Sequence, residues 1–197
     1  MHGDIIREVN GDLIEPIERR LILEERAGIR GYGAWIHLDE NMSVRSADPF
    51  ENRITDAGDQ YIAQKIITGG GPAAPAAPTI ANGMKLGTGS AAVTKNGTNS
   101  ALGSYLAGTN VPFDATFLSY TVLGAGAGTR ANHQSTFGPG VGTSATVNEA
   151  IICNDAGTNA TSLAANTYAR ILGPSGTLNK AAGDTLIVVW YWLVLAP

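Results

Sequence analysis

Beyond residue 65 the chain has four acids: Asp114, Glu149, Asp155 and Asp184. Glycoside hydrolysis needs two carboxyl groups facing each other across a sugar. Glu149 and Asp155 flank one apolar segment, whose extended length of about 20 Å would keep them apart. A Ser or Cys nucleophile needs an adjacent base and a group to orient that base, and no Gly-x-Ser-x-Gly elbow occurs. His2, His37 and His133 are scattered, and Cys153 has no partner at ligand spacing, so no metal is expected. Gly87-Thr-Gly89-Ser-Ala-Ala92 imitates a dinucleotide fingerprint, in which glycines let the backbone approach a pyrophosphate. That motif opens directly into a helix, whereas the residues after Ala92 are polar and turn-like, so the glycines read as a turn. These residues point to a non-enzymatic protein with no catalytic residues, no cofactor and no metal.

The remaining candidates are apolar. From Thr185 to Leu195 the side chains alternate across a strand, and both sets are hydrophobic. Trp190 and Trp192 fall on one face and Tyr191 on the other, so the three aromatics cannot form one flat sugar platform. A strand apolar on both sides must be covered on both sides: one face by a sandwich core, the other by the N-terminal region or a second subunit. Near the N-terminus, Asp12 can cap a helix from Leu13 to Ala27, with Leu13, Ile17 and Leu21 on one stripe. Leu13, Ile17, Leu21, Trp190, Tyr191 and Trp192 are therefore the candidate subunit-interface residues.

The elements that must position these residues are mostly strands. Gly is frequent, at 25 residues, and charged residues make up only 15%, a composition suited to short strands and many turns. The net charge is −4 with no Lys/Arg run, which argues against a nucleic-acid surface. The apolar run Leu186–Ala196 is shorter than the ~20 residues a bilayer needs, and the first residues lack the basic and apolar regions of a secretory signal. Cys153 is the single cysteine, so no internal disulfide forms. Residues 1–65 hold 13 of the 17 acids, and Gly69-Gly-Gly-Pro to Pro78 then reads as a flexible and extended linker. The expected organisation is an N-terminal arm over residues 1–68, a linker over 69–78 and a β-sandwich over 79–197.

Within the arm, Tyr32–Leu38 and Met42–Arg45 read as a hairpin around Asp39-Glu40-Asn41. Thr55 caps a second helix, Asp56–Ile67, whose first turn carries Asp56 and Asp59. Strands are expected at Met84–Leu86, Thr116–Leu123, Arg130–Phe137, Thr146–Asn154, Thr167–Leu172 and Thr185–Leu195, at sandwich-like spacing. Ser100–Leu106 reads equally as helix or strand. The expected fold is mainly β, an antiparallel, jelly-roll-like sandwich with a short helix–hairpin–helix arm.

Several segments, in order, resemble tailed-bacteriophage virion proteins. They are Asn52-Arg-Ile-Thr-Asp-Ala-Gly58 with its helix, Met84-Lys-Leu-Gly-Thr-Gly89, Phe113-Asp-Ala-Thr-Phe117, Val147-Asn-Glu-Ala-Ile-Ile152, and Asn179-Lys180-Ala-Ala-Gly-Asp184-Thr-Leu-Ile-Val-Val-Trp190. The resemblance implies a virion structural protein, assembled in the bacterial host cytoplasm, with no catalytic residues to carry over. Its implied partners are other virion proteins, capsid or tail subunits, and further copies of itself. Two placements remain open: a capsid decoration (cement) or other accessory head subunit, and a tail, baseplate or fibre-attachment component with host-surface glycan binding.

Overall fold

The computed structural model describes residues 12, 15–23, 28–67, 80–123, 128–173 and 178–195. The expected linker and Leu13 lie outside the described residues. Helix α1 (Glu15–Leu23) is followed by β1 (Gly28–Leu38), β2 (Val44–Ile54) and α2 (Asp56–Ile67). The later strands are β3 (Gly83–Gly87), β4 (Val111–Pro112), β5 (Ser119–Val122), β6 (Thr129–Phe137), β7 (Ser144–Val147), β8 (Glu149–Cys153), β9 (Thr167–Leu172), β10 (Leu178–Lys180) and β11 (Thr185–Leu195).

Local chemistry sets the turns. The Asp39 carboxylate accepts hydrogen bonds from the N–H groups of Asn41 and Ser43 at 2.9 and 2.8 Å, and Met42 takes a φ of 64° to close the β1–β2 hairpin. Both strands run longer than expected, because β2 continues through polar residues and Pro49. Thr55 caps α2 as expected: its Oγ1 accepts from the Gly58 N–H at 3.1 Å and donates to the Thr167 carbonyl.

The antiparallel ladder runs β4-β3-β8-β9-β2-β1-β11-β6-β5. It folds over at β2, which pairs with β1 from Val44 to Asn52 but with β9 only through Arg53 and Ile54. The two halves thereby face each other. One core draws on Trp35, Phe137, Leu186, Val188, Trp190 and Trp192 from one half and Met84, Leu86, Ala150, Ile152, Ala169 and Ile171 from the other. The protein is therefore mainly β, an antiparallel β-sandwich. A short β7–β10 ladder adds Val147 and Leu178 to the same core.

The expected order of helix, hairpin, helix is present before residue 68, and the hairpin is woven into the sandwich rather than set apart from it. All eleven residues of β1 pair with β11, from Gly28↔Leu195 to Leu38↔Thr185. The inward face of β1 carries Gly31, Gly33 and Trp35; Gly31 makes room for the Asn52 side chain and Gly33 for the Phe50 ring. A Cβ at Gly33 would lie 2.0 Å from the Val189 carbonyl oxygen and 2.6 Å from the Phe50 ring. Phe50 crosses this gap to meet Trp190 edge to face at 5.2 Å.

The other face of β1 and β11 forms a second core of Tyr32, Ala34, Ile36, Leu38, Ile187, Val189, Tyr191 and Leu193. Ile17 of α1 packs on it with Met42, Ala47, Phe117 and Leu123, and Arg20 of α1 is hydrogen-bonded to Glu51 of β2. The chain itself thus covers both faces of its last strand.

Three other expectations are revised. Thr146–Asn154 is two strands, because at Asn148 the chain passes from the small ladder to the main sheet. Thr116–Leu123 starts as a 3₁₀ turn, Ala115–Phe117, before β5. Ser100–Leu106 is neither helix nor strand: a 3₁₀ turn ends at Ser100, and Tyr105 makes one isolated bridge to Gly87.

Gly58 illustrates how tightly α2 sits on β9. Alanine is usually favoured over glycine inside a helix by about 1 kcal/mol. Here a Cβ would lie 2.1 Å from the Tyr168 carbonyl oxygen and 2.7 Å from Ile54 Cγ2. Gly58→Ala is therefore expected to destabilise by ~1–3 kcal/mol through overpacking. Gly157→Ala, where nothing lies within 4 Å, should be close to neutral. Urea midpoints of the two variants check the contrast.

Candidate functional site

The chemistry-bearing side chains gather at three ionic joints and one cleft. The first joint is built on the glycine segment that imitates a nucleotide fingerprint. Its backbone does approach an anion, and the anion is the chain's own Glu149. The N–H groups of Gly89 and Ser104 donate to Glu149 Oε1 at 2.8 and 2.9 Å, and that of Gly103 to Oε2 at 3.0 Å. Arg170 closes the far side, with Nε 2.9 Å and a terminal nitrogen 2.6 Å from Oε2. The other guanidinium bonds reach the carbonyls of Asn99 and Ala91. Both side chains are 0% exposed. The glycines are needed because a Cβ at Gly87 or Gly89 would lie 2.5 or 2.4 Å from Oε1. The joint ties residues 89–104 to β8 and β9.

The second joint lies at the β3–β8 end. Lys85, fully buried, donates to Asp155 Oδ1 and to the Ala160 carbonyl, both at 2.9 Å. Ser162 and Asn166 also donate to Asp155. Burial alone would raise the Asp155 carboxyl, but the Ser162 and Lys85 bonds outweigh it and hold it below its ordinary range. Beside it, Cys153 is buried with its Sγ 3.7 Å from the Gly83 carbonyl oxygen. Burial, reinforced by the Asp155 charge, pushes this thiol up to about 12, so it packs as a small hydrophobe.

The third joint explains the Lys180-x-x-Gly-Asp184 spacing. Lys180 Nζ donates to the carbonyls of Gly138 and Asp184 at 3.0 and 2.6 Å, while the Ala181 N–H donates to Asp184 Oδ2 at 2.9 Å. His37 Nε2 lies 2.8 Å from the same oxygen, and Arg45 is 3.4 Å from Oδ1. Burial would raise the Asp184 carboxyl; the Ala181 N–H, His37 and Arg45 overcome this and lower it. A His–Asp pair supplies two of the three members of a nucleophilic triad. Among the described residues no Ser, Thr or Cys side chain is hydrogen-bonded to His37. The remaining late acid, Asp114, accepts from Gln134 and Thr136, both at 2.7 Å.

The cleft, about 680 Å³, opens where β2 leaves β1 and meets β9. Arg30, Glu51, Asn52, Asp59, Lys95 and Arg170 are among its lining. Glu51 is bonded to Arg20, Asp59 to Lys95 and Arg170 to Glu149. Both amide atoms of Asn52 are shielded from water without a hydrogen-bond partner among the described residues.

The predicted interface residues fall elsewhere. Trp190, Tyr191 and Trp192 are buried within the chain, split between its two cores, and thus are not exposed for a partner. Ile17 packs on the second core, Leu21 lies on α1, and Leu13 is outside the described residues. His133 is sandwiched between Phe113 and Trp192, at ring distances of 5.0 and 5.2 Å. Burial lowers it to about 4 against a bond to the Trp190 backbone, so the ring serves as a neutral member of the core. Among the described residues no group of three or more His, Cys, Asp or Glu could hold a metal ion, and no helix is long and apolar enough to cross a membrane.

The joints leave a signal in the sequence. Lys85, Glu149, Arg170 and Lys180 are lone charges inside otherwise apolar or small-residue strands, which implies buried charges needing partners. No protein-family model, curated protein or solved structure matches the chain.

Proposed function

We propose that this chain is a non-enzymatic structural subunit of a tailed-phage particle, an accessory head protein of the capsid-decoration (cement) kind. The observation that carries the reading is where the virion-like segments fall: each contains residues that lock the sandwich. Thr55 and Gly58 seat α2, Gly89 and Glu149 form the first joint, Asp114 holds β6, and Lys180 with Asp184 closes the turn into β11. The side-chain carboxylates of Asp114, Glu149, Asp155 and Asp184 are each engaged by two or more groups of the chain itself. That use of charge supports a load-resisting scaffold over a reactive site.

A second placement, a tail or fibre-attachment component that binds a host glycan, is favoured by the polar-walled cleft beside Asn52. Gold-labelled antibody on intact particles separates the two. Label spread over the head is expected; label confined to one vertex would replace the cement reading with the tail reading. Particles without label would remove both.

A further inference from the structure

The half of the sandwich built from β2, β1, β11, β6 and β5 ends in two strands of opposite character. Among the described residues β2 has no ladder partner on its outer side from Val44 to Asn52. It carries Arg45, Asp48 and Glu51 together with Pro49, the charges and imino residue that blunt an edge against unwanted pairing. β5 carries none of these. It pairs only with β6, from Ser119↔Asn132 to Val122↔Thr129, and no strand among the described residues lies on its other side. Tyr120 is 75% exposed, Val122 66%, and Leu118, just before the strand, 57%. Ser119 and Thr121 face the opposite way and bond to Asn132.

We propose that the free edge of β5 pairs with β5 of a second copy, antiparallel about Tyr120. The occupant follows from the order of residue types. A two-fold interface must be self-complementary, and Leu118-Ser119-Tyr120-Thr121-Val122 reads nearly the same in both directions. With Tyr120 opposite its own copy, Ser119 faces Thr121 and Leu118 faces Val122, so hydroxyl meets hydroxyl and aliphatic meets aliphatic. The segment carries no charge to repel its twin. Pairing would satisfy the open backbone groups of both strands and cover the exposed Tyr and Val side chains. The contact is small, below the ~1,200 Å² of standard interfaces, so the dimer is weak and concentration-dependent. This surface is distinct from Trp190–Trp192, and the proposal concerns the free chain, independent of any particle.

The register makes the test specific. Residues directly opposite in an antiparallel pair have Cα atoms about 4.5–5.5 Å apart, within reach of a disulfide, which fails beyond about 7 Å. Tyr120→Cys in the full chain, oxidised with copper phenanthroline, should give about tenfold more disulfide-linked dimer than Ser119→Cys, whose copies would sit about 8 Å apart. Wild-type chain, whose only thiol is buried, provides the baseline. In parallel, sedimentation at rising concentration should show dimer for wild type and monomer for Tyr120→Lys/Val122→Lys, with circular dichroism confirming that the exposed substitutions leave the fold intact. Equal crosslinking of the two cysteine variants, no crosslinking of Tyr120→Cys, or a wild type monomeric at all concentrations would overturn the proposal.

Discussion

A chain that begins at Ser43, and so lacks β1, is expected not to fold. β1 is an inner strand, paired along its length with β11 on one side and from Gly31 to Leu38 with β2 on the other. Its removal takes Tyr32, Trp35, Ile36 and Leu38 out of the two cores. Fully burying a large apolar side chain contributes ~1.5–3 kcal/mol, so the four together amount to roughly 6–12 kcal/mol. A domain's entire stability is about 5–15 kcal/mol. The truncation also leaves the β11 edge open and exposes Ile187, Val189, Tyr191 and Leu193, which the second core otherwise covers. The truncated chain should give no cooperative urea transition by circular dichroism and should aggregate. A cooperative transition would mean that β2 can close directly on β11 and that β1 is dispensable.

The second large effect is expected at the Glu149–Arg170 joint. Glu149→Gln leaves a guanidinium buried without its counter-charge, a loss of ~3–5 kcal/mol by analogy with other broken buried pairs. Replacing both partners of a buried pair by apolar residues is often neutral, and that comparison decides what the joint does. Here the carboxylate also accepts three backbone N–H bonds, from Gly89, Gly103 and Ser104, and Arg170 serves two carbonyls. Each backbone group left unpaired costs about 1–3 kcal/mol. Glu149→Leu/Arg170→Met should therefore remain well below wild type, although less destabilised than the sum of its single variants. Limited proteolysis should cut first between residues 89 and 104, the segment the joint holds down. A double variant as stable as wild type, with that segment still protected, would show the joint to be incidental.

Part of this locking chemistry is legible in the order of residues alone. Thr55 followed by Asp56 and Asp59 is a helix start by local rules, and α2 has the expected bounds. The strands Thr167–Leu172 and Thr185–Leu195 likewise match expectation residue for residue, because alternation and β-branched content are local properties. β4 and β10 are not legible, since strands of two and three residues carry no period to read. The ionic joints are hidden because their partners lie far apart in sequence, Lys85 from Asp155 and His37 from Asp184. Only the oddity of a lone charge in an apolar strand points to them.

By itself the sequence determined the fold class, the Thr55 helix cap, the apolar character of both faces of the last strand, and the scarcity of late carboxylates. These follow from residue type and short-range spacing. Tertiary structure decided what covers those faces and what engages those carboxylates. The composition change near residue 69 reads as a boundary between an arm and a body, yet β1 lies beside β11 across almost the whole chain. Pairing between distant strands is set by the closure of the complete sheet, and charge composition carries no record of it. The same closure makes Trp190, Tyr191 and Trp192 core rather than contact surface, and leaves the short neutral β5 at the open edge.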